Sequence, residues 1–486
     1  MEQSQLVEMI QTLDPKERKQ ILQFASVQFF NPTRMRPYVG PLIELCMNHP
    51  WNEQDKVLRK VSVYATIFPG EEFIEGKLEK VMVEAQKFLR SYLLTRHYFR
   101  DDNEFYQTLD FAEISRIRGL KGKYKQSMDR LNEIQQNQTA KNASYFLKQL
   151  HLEGAIHYVE SINNQQKNDI NIGNVLHATE IFYHIRRVSL LSRYLLQMQV
   201  AKLDVPEFIE LHIEENHVPE RCLLESPQLN INFEIFKVLR NGLPGISDIR
   251  TLIDLLQVNE KSLDDETLQE FYTYLRNFAI LISRVNRENV DIHFMLHELF
   301  LDNLRRGYLH YEGKLTPNRY VGIVENALII KEFDWALEFI EANKDRLHGE
   351  NENHDIYHFT KARYLFGIGQ YDECLKLLPD SSNYVDFLLL GRRLEIKVYF
   401  ELGSDLLNYK LEAFKMYLSR TSKKILPDTY RQAHVEFTNF LTQIISSIPG
   451  DAERAERVIK RIEANKQVVE WRWLLEKANA LKKRHS

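Results

Sequence analysis

The sequence predicts an all-α chain in which an N-terminal helical module leads into a solenoid of helical hairpins. Three observations predict it. Across 486 residues there are 18 glycines and 14 prolines, too few turn-formers for a many-stranded sandwich or barrel. Apolar residues recur at three- and four-residue spacing, as at Leu190, Leu191, Tyr194 and Leu195, and nowhere alternate with period two. After Pro317, small and aromatic residues return in a unit of roughly 34 residues.

Residues 1–95 read as the N-terminal module. Asp14-Pro15-Lys16-Glu17 supplies a capping carboxylate, a proline at the first helical position and an acid in the first turn, which starts a helix running to about Phe30. Asn31-Pro32 ends it. A second helix contains Leu42, Leu45 and Cys46, Pro69-Gly70 punctuates the chain, and a third runs from Leu78 to Tyr92 with Val81, Ala85, Phe88 and Leu89 on one face.

Residues 104–310 read as a helical-hairpin array. Its expected helices are Phe105 to Ile134, Ala140 to Ser161, Val175 to Gln199, Val205 to Asn216, Ile231 to Leu239, Asp248 to Leu256, Asp264 to Arg284 and Asp291 to Leu309. Short polar connectors such as Asn241-Gly-Leu-Pro-Gly separate them, as stacked antiparallel pairs require.

In residues 317–420 one unit places Val324, Phe333 and Ala336, and the next places Ala362, Gly369, Tyr371 and Cys374, where helix pairs want small residues at the crossing and an aromatic beneath. This resembles the tetratricopeptide repeat. A third, degenerate unit centres on Gly403, with Ala413 and Phe414 behind it. Residues 427–486 supply C-terminal capping helices over the last apolar face. Separately, Phe24-x-x-Val27-x-Phe29-Phe30-Asn31, Phe68-Pro69-Gly70-Glu71-x-Phe73, Lys77-Leu78 and Phe88-Leu89 resemble a pattern in uncharacterised helical-repeat proteins of the Bacteroidota. That likeness implies a bacterial origin and no particular activity.

Composition narrows function. A net charge of −4 argues against polyanion binding by the whole chain. The three cysteines, Cys46, Cys222 and Cys374, lie far apart, which fits a reducing, cytoplasmic setting without disulfides. Met1-Glu-Gln-Ser-Gln-Leu-Val-Glu carries acids where a signal peptide needs a basic patch, so no export is expected, and apolar runs such as Phe278-Ala-Ile-Leu-Ile fall far short of the ~20 residues a membrane span needs. Phosphate loops, nucleophile elbows and the His-Glu-x-x-His signature are missing.

Several residue sets invite chemistry. His293 and His297, and likewise His354 and His358, are four apart, the spacing of two metal ligands on one helix; the apolar neighbours Phe294, Met295, Leu296 and Phe300 favour a packed face instead. His177, Glu180 and His184 could share a face, but the other carboxylates of a di-metal site cannot be assembled. The segment from Asp204 to Glu225 holds seven acids and a single base, Arg221, a solvated face by default and a cation trap otherwise. Arg116, Arg118, Lys121, Lys123 and Lys125, and the Lys482-Lys-Arg-His terminus, are basic clusters that would attract nucleic acid.

The repeat register points Val321 and Glu325, Phe359 and Arg363, and Arg393 and Lys397 into a concave groove. Three cations beside an aromatic ring suit an acidic peptide. The expected function is a non-catalytic protein–protein interaction scaffold with no cofactor. A nucleic-acid-binding regulatory or defence protein, and a metal-dependent enzyme using the paired histidines, are the alternatives.

Overall fold

A computed structural model describes residues 4–49, 59–163, 171–201, 203–286, 289–347, 353–378, 385–448, 450–465 and 468–482. Among the described residues there are 24 α-helices and no β-strand; two isolated bridges, Tyr311 to Lys314 and Leu315 to Leu347, are the extent of β pairing. No helix among them is long and apolar enough to cross a membrane. The chain divides into two compact units, Met1–Gln138 with Leu147–Val175, and Thr139–Phe146 with Leu176–Ser486.

The first unit holds α1 (Gln5–Gln11), α2 (Pro15–Ser26), α3 (Arg36–Asn48), α4 (Lys60–Ile67), α5 (Lys77–Tyr98), α6 (Glu104–Ile117), α7 (Lys121–Asn137) and most of α8 (Ala143–Asn163). The cap expected at Asp14 is present: its carboxylate accepts from the Lys16 and Glu17 amides at 2.6 and 2.8 Å, and Glu17 accepts from the Asp14 amide at 3.0 Å, a reciprocal capping box. The helix ends at Ser26, short of the expected Phe30, because Val27 turns extended. Helix α5 packs on α1, α2 and α3, burying Leu78, Val81, Ala85, Phe88 and Leu89 against Leu6, Val39, Leu42 and Ile43.

The single helix expected from Phe105 to Ile134 is broken in two. Gly119 takes φ +71°, its amide donates to the Arg116 carbonyl at 3.1 Å, and the Leu120 amide reaches back to Ser115 at 2.8 Å. This left-handed double-bonded cap ends a helix because glycine alone adopts the angle without cost. Helix α7 then folds back along α6.

The second unit runs through α9 (Ile172–Ala201), α10 (Glu207–Glu214), α11 (Glu220–Glu225), α12 (Pro227–Arg240), α13 (Ile246–Asn259), α14 (Asp265–Val285) and α15 (Asp291–Arg305). It continues with α16 (Pro317–Ile329), α17 (Phe333–Asn343), α18 (Asn353–Gly367), α19 (Tyr371–Leu377), α20 (Val385–Glu401) and α21 (Leu407–Arg420). The last helices are α22 (Asp428–Ile445), α23 (Ala452–Ala464) and α24 (Trp471–Ala480). From α11 to α24 each helix packs on its sequence neighbours, and α16, α18 and α20 also pack side by side. The same double-bonded cap recurs at Gly307, Lys331, Gly369 and Gly403, all at positive φ. One core extends from Phe146 to Val398; another joins Leu389 and Ile396 to Leu474 and Ala478 of α24.

Candidate functional site

Positions four apart on a helix share a face, so Phe359 with Arg363 on α18, and Arg393 with Lys397 on α20, point the same way. The structure brings these cations together, and what they hold is the chain's own Glu470. Lys397 Nζ lies 2.7 Å from Glu470 Oε2, while Arg363 and Arg393 approach Oε1 at 3.6 and 3.7 Å. Arg363 also reaches Glu325 of α16 at 3.1 Å. Glu470, at φ 55° and ψ 27°, is the residue before α24, and this left-handed backbone aims its side chain inward.

Most of the residues expected to line an open groove are therefore covered, while Glu325 keeps 36% of its side chain exposed. Arg393 and Lys397 are 6% and 3% exposed, and Phe359, Val321 and Ala362 are buried with them. The C-terminal segment forms the cover: Arg472 donates to His293 Nε2 at 2.9 Å, Trp473 Nε1 donates to Glu401 at 2.6 Å, and Lys477 pairs with Glu401 at 2.8 Å.

Electrostatics follow from burial. Desolvation pushes Lys397 down to about 8 against the pull of Glu470, and lowers Arg393. Burial would raise Glu470, but Lys397, Arg363 and Arg393 together hold it well below the usual carboxylate range. Three cations face two carboxylates. The Nε atoms of Arg363 and Arg393 and Nδ1 of His434 lack a hydrogen-bond partner among the described residues. Burial, then Arg393, pushes His434 down to about 3.

His293, His297 and His358 each engage neighbours within the chain. His293 Nδ1 meets Asn326 Oδ1 at 2.8 Å, and Asn326 donates back to the His293 carbonyl at 2.9 Å. With Arg472 donating to Nε2, the ring is the neutral Nδ1–H tautomer and both nitrogens are engaged. His297 instead packs edge-on against Trp335 at 4.6 Å. His358 stands against Tyr357 at 5.2 Å, and the side chain of His354 lies outside the described residues. His177 contacts Glu225 at 2.6 Å and Glu180 pairs with Arg221 at 2.7 Å, so these two engage neighbours from α11, while His184 is buried beside Tyr183. Among the described residues no group of three His, Cys, Asp or Glu could hold a metal ion. All three cysteines are buried and unpaired.

Of the basic clusters, Arg116 grips Glu113 with two bonds of 2.8 and 2.6 Å. Lys482 pairs with Glu456 at 2.6 Å; residues 483–486 lie outside the described residues.

A second site escaped sequence reasoning. Helices α6, α7 and α8 enclose a groove of about 820 Å³. Its lining includes Ala112, Met128, Gly154 and Ala155, the rings of Tyr106, Tyr124 and Tyr158, and the charged Asp110, Glu113 and Arg116. The Arg116 guanidinium covers the Tyr158 ring at 4.9 Å. A Cβ built on Gly154 would meet nothing within 4 Å. The signal was the small pair Gly154-Ala155 within an apolar helix, legible only once α6 is known to face it. Compared with known proteins, the chain matches no family model, no curated protein and no solved structure.

Proposed function

We propose that the chain is a non-catalytic interaction scaffold of stacked helical hairpins, tetratricopeptide-like over residues 317–420, that takes a protein segment into the groove between α6 and α8. The observation that carries this reading is the groove itself. It is lined mostly by tyrosines and aliphatic side chains with a few polar groups, Asp110, Glu113 and Arg116 among them, the composition of sites that receive apolar anchors from a partner helix or peptide. Sequential packing from α11 to α24, and caps at positions 331, 369 and 403 that repeat at hairpin spacing, support the stacked architecture. Unpaired cysteines suit a reducing, cytoplasmic setting.

Selection from a displayed peptide library against the full chain tests it. The expected winners carry aromatic or aliphatic anchors at helical spacing, and Gly154→Leu weakens them at least tenfold while the melting temperature holds. Failure to enrich any sequence, or winners indifferent to Gly154→Leu, would overturn the reading.

A second reading keeps the acidic ligand. The seat formed by Arg363, Arg393 and Lys397 already accepts a carboxylate, that of Glu470, and a partner's acid would have to take its place. A fluorescein-labelled Glu-rich peptide that binds the Glu470→Gln chain and ignores the wild type would support this; binding to neither sinks it.

A further inference from the structure

We propose that a second copy of this chain docks along the outward face of α6, pairing the two helices antiparallel about Ile114. Helix α6 carries apolar residues on more than one face. It buries Phe105 and Ala112 and lends Tyr106 and Leu109 to the groove, yet it still presents Phe111, Ile114 and Ile117 to solvent at 45%, 46% and 69% exposure. Leu120, just beyond the cap, is exposed as well. Phe111, Ile114 and Ile117 recur at three-residue spacing on one face, and an exposed apolar stripe of this kind marks an interaction face.

Charge identifies the occupant. Before Ile114 stand Asp101, Asp102, Glu104, Asp110 and Glu113, of which Asp102, Glu104 and Glu113 pair within the chain with Arg100, Arg130 and Arg116, and exposed Asp110 accepts from the Tyr98 hydroxyl; after Ile114, besides Arg116, stand Arg118, Lys121, Lys123 and Lys125. Acids at one end and bases at the other make the stripe complementary to itself, provided the partner runs the other way. Asp110 lies four residues before Ile114 and Arg118 four residues after. Positions 110, 111, 114, 117 and 118 share one helical face. A two-fold axis through Ile114 therefore sets Asp110 against Arg118 of the other copy, and Phe111 against its Ile117. Such an isologous contact forms every pair twice and closes on itself. Helix α6 spans about 21 Å, so the contact is smaller than a standard interface of roughly 1,600 Å². The dimer is accordingly concentration-dependent.

Sedimentation velocity of the full chain, from about 1 to 200 μM, tests the assignment. The expected result is a mass rising toward twice that of the chain. Ile117→Asp, at a solvent-exposed position, holds it at the monomer without changing the melting temperature. Asp110→Arg and Arg118→Asp each weaken association at least tenfold, and the double variant, which inverts both partners of each pair, returns within about threefold of wild type. A wild-type chain that stays monomeric throughout, or a dimer indifferent to Ile117→Asp and to the swaps, overturns the proposal. So does a monomer whose basic end captures duplex oligonucleotide with steep salt dependence, which would assign this face to nucleic acid.

Discussion

Lys397 and Glu470, 73 residues apart in sequence, meet at 2.7 Å in the interior of the second unit. Their contact fixes the start of α24 over α18 and α20. Removing one member of a buried ion pair leaves its partner's charge uncompensated, which costs about 3–5 kcal/mol.

Glu470→Gln should therefore lower stability by roughly that amount, since three cations would then face Glu325 alone. Urea denaturation measures it. Replacing Lys397 with Met in the same chain should recover part of the loss, because the uncompensated ammonium disappears; no recovery would show that Glu470 acts chiefly through the two arginines.

Stability should fall as pH drops from 7 to 5. His434 is held down at about 3, first by burial and then by Arg393. The unfolded chain binds a proton near pH 6.5 that the folded chain refuses, so acidification favours unfolding. For one such histidine the loss over that interval is about 2 kcal/mol. His184, His293 and His297 are lowered by burial too and add to the slope. His434→Gln should flatten the profile measured by urea melts at each pH. Glu470 has the opposite kind of window: its depressed value contributes stability above the ordinary carboxylate range, and that contribution drains away only as pH falls below it.

The hairpin caps predict a sign change between equivalent positions. Gly369 has φ +80° with open space about it, so Gly369→Ala should cost about 1 kcal/mol through backbone strain alone. Lys331 occupies the matching place at φ +64°. There Lys331→Gly should stabilise by about 0.5 kcal/mol. Thermal melts of the two variants compare them directly.

Gly154→Ala should stabilise the chain by about 0.5–1 kcal/mol, the helix propensity gained, because the added methyl meets no atom. A loss on calorimetry would mean that the groove is narrower than its lining indicates.

The helical class was legible because the apolar spacing of α14 or α23 is local and regular. The gathering of Arg363, Arg393 and Lys397 was legible for the same reason, each set being ordered along one helix or on adjoining repeats. Their occupant was not: nothing near Glu470 in sequence announces that its side chain points inward, and only packing of Trp473 and Leu474 delivers it. The break at Gly119 went unread because one glycine between basic residues looks like a surface position until its left-handed cap closes. The short helices α1, α4 and α11 carry too few turns to show a period. The groove of α6 to α8 depends on three segments at once, which periodicity within any one of them does not report.

The cap that recurs at Gly307, Lys331, Gly369 and Gly403 is fastened by main-chain atoms. Side chains on either side can be exchanged without loosening the joint. Descendants of such a chain can drift until their letters share little, while the angle between successive rods persists; kinship among them is better sought by overlaying backbones than by aligning text.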